Sequence, residues 1–173
     1  MRIVAFVGPS GVGKTRLLVK LVRALSRRGL KVGAIKHSHH EGFDKPGSDS
    51  SKLRRAGALG VALMGRSELA WFGSPPDDPR ALAPLFGGAD VVLCEGFKGS
   101  DLPRVEVHRR SVRRAFLADS DSGILAVVSD DAPRRELPRF RPDQVQALAD
   151  WLCERWKLRS AGVRRRGSVA QKS

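Results

Sequence analysis

The chain predicts an α/β fold of three layers, with a mostly parallel central sheet, helices on both faces and a β-hairpin insertion, and three stretches carry that reading. Residues 3–7 (Ile-Val-Ala-Phe-Val) enter the loop Gly8-Pro9-Ser10-Gly11-Val12-Gly13-Lys14-Thr15 and leave it as a run with apolar residues three and four apart. Lys31–Lys36 reads as a second strand, so the opening is a β-α-β unit, whose crossover builds a parallel sheet. Residues 89–95 are an almost unbroken apolar run that ends on an acid, the pattern of a strand covered on both faces.

The loop between the first strand and helix matches G-x-x-x-x-G-K-[ST] in the strand and helix context that this motif requires, the phosphate loop of a nucleoside triphosphate site. Glycines let successive backbone N–H groups turn inward on phosphate oxygens, and the positive end of the following helix reinforces them. Lys14 supplies a mobile charge for the β- and γ-phosphates, and the Thr15 hydroxyl is placed for Mg²⁺. The candidate phosphate-binding residues are Gly8, Ser10, Gly11, Val12, Gly13, Lys14, Thr15 and Arg16. Glu95, at the end of its strand, is the expected acid beside the metal, and Gly96 leaves room for the γ-phosphate. Lys14 and Glu95 are the candidate catalytic pair.

The second strand runs into His37-Ser38-His39-His40-Glu41-Gly42-Phe43-Asp44-Lys45-Pro46-Gly47-Ser48-Asp49-Ser50, a stretch whose glycines and proline exclude regular structure. It leaves the carboxyl end of a strand, where ligands of open α/β sheets bind. The histidines lack a second cluster to complete a zinc site, which favours polar contacts, His37 to the nucleotide among them. Asp44 and Asp49 are candidates for Mg²⁺ or its waters, Asp49 with Thr15 and Glu95, and Asp49 also for the cap of a short helix ending near Gly57.

Further along, residues 60–65 and 68–72 predict a hairpin in which Trp71 and Phe72 serve packing, and 79–86 a short helix. Residues 103–108 alternate as a strand, with Glu106 and His108 as strand-end polar groups, and 124–128 predict the last buried strand. Asp130 follows it where many guanine-binding phosphate-loop proteins place an acid against the purine. The full Asn-Lys-x-Asp signature is missing, so the residues leave the base open. The final helix is expected over 142–157, with Pro142 in its first turn and Val145, Leu148, Leu152 and Trp156 on one face.

The chain has 173 residues, 41% of them hydrophobic, which suits one nucleotide-binding domain over 1–157. No apolar run approaches the ~20 residues of a membrane span, and no signal peptide is read at the start, so a cytoplasmic protein is expected. Cys94 and Cys153 lack metal spacing and read as reduced core residues. The net charge of +14 invites nucleic acid, but the basic residues crowd 155–172 beside Ser and Gly, as in a solvated tail over 158–173. Tyrosine is absent and aromatics are 6%, so a stacking platform for single strands is not evident and nucleic acid is disfavoured.

Taken together, several segments resemble the molybdopterin-guanine dinucleotide biosynthesis protein B (MobB) family. These are Gly8–Thr15, Lys36–His40 with Asp44–Ser50, Arg54–Ala58, Glu95–Lys98 and Pro103–Arg109, in order over roughly residues 1–155. The resemblance implies a GTP- and Mg²⁺-binding accessory protein with weak intrinsic hydrolysis. It implies a homodimer that assists a MobA-type nucleotidyltransferase attaching GMP to molybdopterin, with molybdopterin or its guanine dinucleotide as a further contact. It places Gly11, Gly13, Lys14 and Thr15 on phosphates and Mg²⁺, Asp49 and Glu95 near the metal, and the histidine loop toward the nucleotide or the partner's product. The basic C-terminal extension departs from the family pattern, and an acidic partner or the pterin phosphate is its expected contact. Two other readings stand beside this one: a phosphate-loop kinase or ATP-dependent ligase with loop 37–50 as acceptor site, and a nucleic-acid binder acting through the tail. No glutamine is evident to position a hydrolytic water, so slow turnover is expected.

Overall fold

A computed structural model describes residues 1–38 and 42–159. His39, His40, Glu41 and residues 160–173, and with them most of the basic tail, lie outside the described residues. The chain divides into two compact units, Met1–His37 with the chain from Ala83 onward, and Ser38–Leu82.

The first unit begins with β1 (Arg2–Val7), α1 (Lys14–Arg27) and β2 (Val32–Lys36). After a 3-10 segment (Pro79–Phe86) that reaches into this unit come β5 (Val91–Glu95), β6 (Arg104–Val107), the 3-10 turns Arg110–Val112 and Leu117–Asp119, β7 (Ile124–Val128), β8 (Arg139–Phe140) and α3 (Val145–Trp156). The strands form one sheet in the order β2-β5-β1-β6-β7-β8, and every neighbouring pair is parallel. β1 sits inside it, with Val4 to Val7 at most 1% exposed, which is why its sequence is apolar without alternation.

Strand periodicity sorts the core into two layers. Val4 and Phe6 face the α1 side and pack with Leu17, Leu21 and Leu25 of α1 and Leu148 and Leu152 of α3. Ala5 and Val7 face the other way, where Val92, Ile124 and Val127 are covered by Leu102, Phe116 and Ala118. Within this unit that second face is covered by 3-10 turns and loops, while α1 and α3 lie on the first face.

Glu106 lies on this second face and is fully buried, not a solvated strand end as its sequence position suggested. Its carboxylate accepts the backbone N–H groups of Leu117 and Ala118, each at 2.9 Å, and so pins the 3-10 turn to the sheet. β8 is only a two-residue strand, too short for a periodic signal, and Phe140 meets Trp151 of α3 at 5.9 Å. α3 starts at Val145, three residues beyond Pro142, with Val145, Leu148 and Leu152 buried as expected and Trp156 half-buried.

The second unit holds α2 (Asp49–Arg55) and a hairpin of β3 (Gly60–Met64) and β4 (Leu69–Gly73). Ser48, not Asp49, caps α2, accepting from the Ser51 N–H at 3.1 Å, while Asp44 accepts both the Ser48 and Ser50 hydroxyls at 2.8 Å. Serine wins because Asp49 lies one residue inside the first turn, where its carboxylate instead pairs with Lys52 at 3.0 Å. Trp71 lies opposite Ala62 and lays its ring over Gly60 and Gly73, yet remains 58% exposed, so its packing is confined to the hairpin.

Replacing Glu106 by Ala leaves two buried N–H groups unpaired and should cost about 3 kcal/mol, read as a lower urea midpoint with an unchanged slope.

Candidate functional site

β1 delivers the chain into the loop at Gly8, whose φ of 143° and absent side chain let the backbone lie against the Val107 carbonyl of β6; a Cβ there would collide with it. Gly13, at φ 92°, is the N-cap of α1 and makes no side-chain cap, and no acid occupies the helix's first turn. The first N–H groups of α1 therefore have no side-chain acceptor supplied by the cap, which is the electrostatic condition for holding an anion.

Two cations and one carboxylate organise the site. Lys14 Nζ donates to the carbonyls of Gly8 at 2.9 Å and Pro9 at 2.7 Å. Partial burial draws its pKa down, the Glu95 charge opposes that shift and the Lys36 charge adds to it, leaving it below the ordinary lysine value. Thr15 Oγ1 donates to Glu95 Oε2 at 2.7 Å, while Lys36 Nζ lies 3.1 Å from Glu95 Oε1 and 3.4 Å from Thr15 Oγ1. Burial pushes the Glu95 carboxyl up, but the hydrogen bonds from Thr15 and Lys36 and the charges of Lys36 and Lys14 outweigh it and hold the group below the usual carboxylate range.

The Lys36 ammonium thus rests between the two oxygens expected to face Mg²⁺. A positive group already accommodated by a hydroxyl and a carboxylate is a direct sign that the residues fit a hard cation. Among the described residues no set of three or more His, Cys, Asp or Glu side chains is placed to hold a metal, so a cation at this edge would have Thr15 and Glu95 as its protein ligands.

The other expected site residues divide. Ser10, Gly11 and Arg16 are exposed on the loop and first turn of α1, and Val12, 2% exposed, can offer only its backbone. His37 is exposed and its ring meets Phe97 at 5.1 Å. Gly96, at φ 98°, gives close approach to His37: a Cβ there would lie 3.0 Å from His37 Cβ. Asp130 is exposed and accepts the Arg110 N–H at 3.0 Å, the chief cause of its lowered pKa. Asp49 belongs to the second unit.

Two residues outside the expected set stand at the site. Lys36 lies beside Glu95 because β2 pairs with β5 in the register Lys36↔Glu95, and Arg109 brings Nη2 to 3.8 Å from the Cβ position of Gly13. A lysine ending the strand before the histidine loop was the available signal for the first. The second depends on β6 lying beside β1, which local patterning does not encode.

A parallel sheet, a glycine loop capping α1, and a threonine in the first turn of α1 bonded to the carboxylate that ends β5 define a phosphate-loop NTPase-type α/β protein. The model of the family Molybdopterin guanine dinucleotide synthesis protein B (MobB) matches residues 3–130, and the chain belongs to that family. It is 34% identical over 168 residues to the molybdopterin-guanine dinucleotide biosynthesis adapter protein of Escherichia coli (strain K12), covering 92% of this chain and 95% of that protein. The adapter protein of the same name from Haemophilus influenzae is 32% identical, covering 94% of this chain and 93% of its own length. A solved MobB homologue from Bacillus stearothermophilus superposes with a TM-score of 0.66 at 26% identity, covering 92% of this chain and all of that one.

Lys36→Ala removes a hydrogen bond and a charge that favour ionised Glu95, so the Glu95 titration followed by carboxyl NMR should move up toward the ordinary glutamate value. In the wild type, Glu95 stabilises the fold above the unfolded glutamate pKa of about 4.3 and that contribution fades as pH falls through its lower folded-state value; the variant should lose part of it.

Proposed function

We propose that this chain is a GTP- and Mg²⁺-binding adapter of molybdopterin guanine dinucleotide synthesis, assisting a MobA-type nucleotidyltransferase and hydrolysing GTP only slowly. The observation that carries the reading is the contact of Thr15 with Glu95 and the placing of a cationic group across both. Family membership and two adapter relatives above 30% identity support the pathway.

In this reading the loop N–H groups of residues 8–15 hold the phosphates, Lys14 turns from its loop carbonyls to phosphate oxygens, and Thr15 and Glu95 hold Mg²⁺. The metal supplies charge neutralisation at the β- and γ-phosphates. Lys36, displaced from between its two partners, keeps a positive charge at the phosphate end, and Arg109 adds one beside Gly13. His37, Gly96 and Asp130 complete the proposed nucleotide surroundings. Slow hydrolysis is supported by the glutamines, which fall at 144, 146 and 171; Gln144 is occupied with the Arg141 N–H and Gln146 with Arg28.

A homodimer is part of the proposal. The hairpin of the second unit exposes Leu63, Met64, Leu69 and Trp71 at 47–88%, and an isolated two-stranded ribbon with bare apolar side chains gains by pairing with a second copy. Met64→Glu with Leu69→Lys should shift the sedimentation coefficient from dimer to monomer while the circular dichroism of the fold persists; an unchanged coefficient would remove the hairpin from the interface.

The first experiment is calorimetry with non-hydrolysable GTP and ATP analogues and Mg²⁺. Guanine-selective binding that falls at least about 100-fold in Lys14→Ala is expected, about 3 kcal/mol by the usual conversion. Preference for ATP would move the assignment to a kinase or ligase acting on a small acceptor.

A further inference from the structure

β6 ends at Val107, His108 extends its pairing by donating its N–H to the Val128 carbonyl at 3.0 Å, and strand alternation carried into His108 and Arg109 sends their side chains to opposite faces of the sheet. Arg109 goes to the α1 side and reaches Gly13. His108 goes to the other side, where it is 3% exposed and its ring stacks on Phe116 at 3.9 Å. His108 Nε2 lies 2.9 Å from the Arg114 carbonyl, and Nδ1 is buried without a hydrogen-bond partner among the described residues. A carbonyl only accepts, so Nε2 donates to it, which leaves Nδ1 as the ring atom without a partner.

His108 and Phe116 line an open pocket of about 400 Å³, the size of a small-molecule site, between the segments that follow β6 and β7. Four arginines border it, 110, 113, 114 and 134, against two acids, Asp119 and Asp131. Asp131 pairs with Arg110 at 3.4 Å, and Asp119 Oδ1 accepts the backbone N–H groups of Arg134 at 2.7 Å and Arg135 at 3.2 Å. Arg113, Arg114 and Arg134 make no ion pair among the described residues. A concave surface with more guanidinium than carboxylate favours an anion, and the planar fork of arginine matches a phosphate.

Arg113 adds an independent sign. Its φ of 49° is left-handed, a conformation that glycine adopts without strain and other residues hold only when the surroundings impose it. The chain nevertheless places an arginine there, in the lining of the pocket.

We propose that this cavity binds a small molecule carrying a phosphate monoester on a flat ring, at a site separate from the phosphate loop. The arginines hold the phosphate, and the His108 and Phe116 wall takes the ring. Inorganic phosphate alone would leave most of the volume to water.

The test is calorimetry of the full chain with 1-naphthyl phosphate, with inorganic phosphate and 1-naphthol as controls. Measurements are made with and without a saturating non-hydrolysable GTP analogue and Mg²⁺, and again in Lys14→Ala. Saturable binding of the monoester is expected, stronger than either control, unchanged by the nucleotide and by Lys14→Ala, and weakened at least tenfold in Arg113→Gly and in Arg114→Ala. Arg113→Gly should unfold at or above the wild-type temperature, because glycine relieves the strain, so its loss of binding would report the guanidinium and not the fold. Displacement by the GTP analogue would make the cavity the far end of the nucleotide site and overturn the proposal. Binding that survives both arginine variants, equal affinity for inorganic phosphate, or no saturable binding would overturn it as well.

Discussion

Parallel pairing in one register is the constraint on which the rest depends. Because β1, β2, β5 and β6 all run the same way, their carboxyl ends open at one edge, and the ladder sets Phe6 and Lys36 opposite Glu95. Everything chemical at the first site is attached to that edge: the glycine loop continues β1, the acid ends β5, the lysine ends β2, and the carbonyl of Val107 at the end of β6 limits what can stand at position 8. A slip of one residue would turn each of these side chains to the opposite face.

The electrostatics at this edge follow from crowding three charges into a partly buried space. Lys14 and Lys36 repel one another, and Glu95 between them is what makes the arrangement tolerable. Lys14 resolves its share by donating to backbone carbonyls, and Lys36 by lying on the carboxylate. Such interactions are exchangeable for phosphate oxygens and a divalent ion of like chemistry, so the loop needs little rearrangement to exchange partners.

β6 acts as a divider. Its alternation places Val105 and Val107 under α1 and Glu106 and His108 in the opposite layer, and Glu106 then holds the 3-10 turn that carries Leu117 and Ala118. A four-residue strand thereby serves two surfaces at once, one beside the phosphate loop and one around the cavity at His108.

Local residue patterns alone were enough for the glycine loop, the apolar strands β1, β5 and β7, the amphipathic α1 and α3 and the hairpin, because glycine placement and hydrophobic period are physical properties of a short stretch. They also singled out Lys14, Thr15 and Glu95. They left open the two-residue β8, too short to have a period, the serine that caps α2 in place of its neighbour, and the burial of Glu106, since a carboxylate reads as polar until backbone donors are seen to meet it. Lys36 and Arg109 escaped for a different reason: their roles come from strands that are neighbours in space and distant in the chain. The sequence by itself determined the longer strands and helices and the position of the glycine loop. Only the tertiary structure decided which side chains meet at the sheet edge, because strand order is a property of how apolar faces are shared across the whole core.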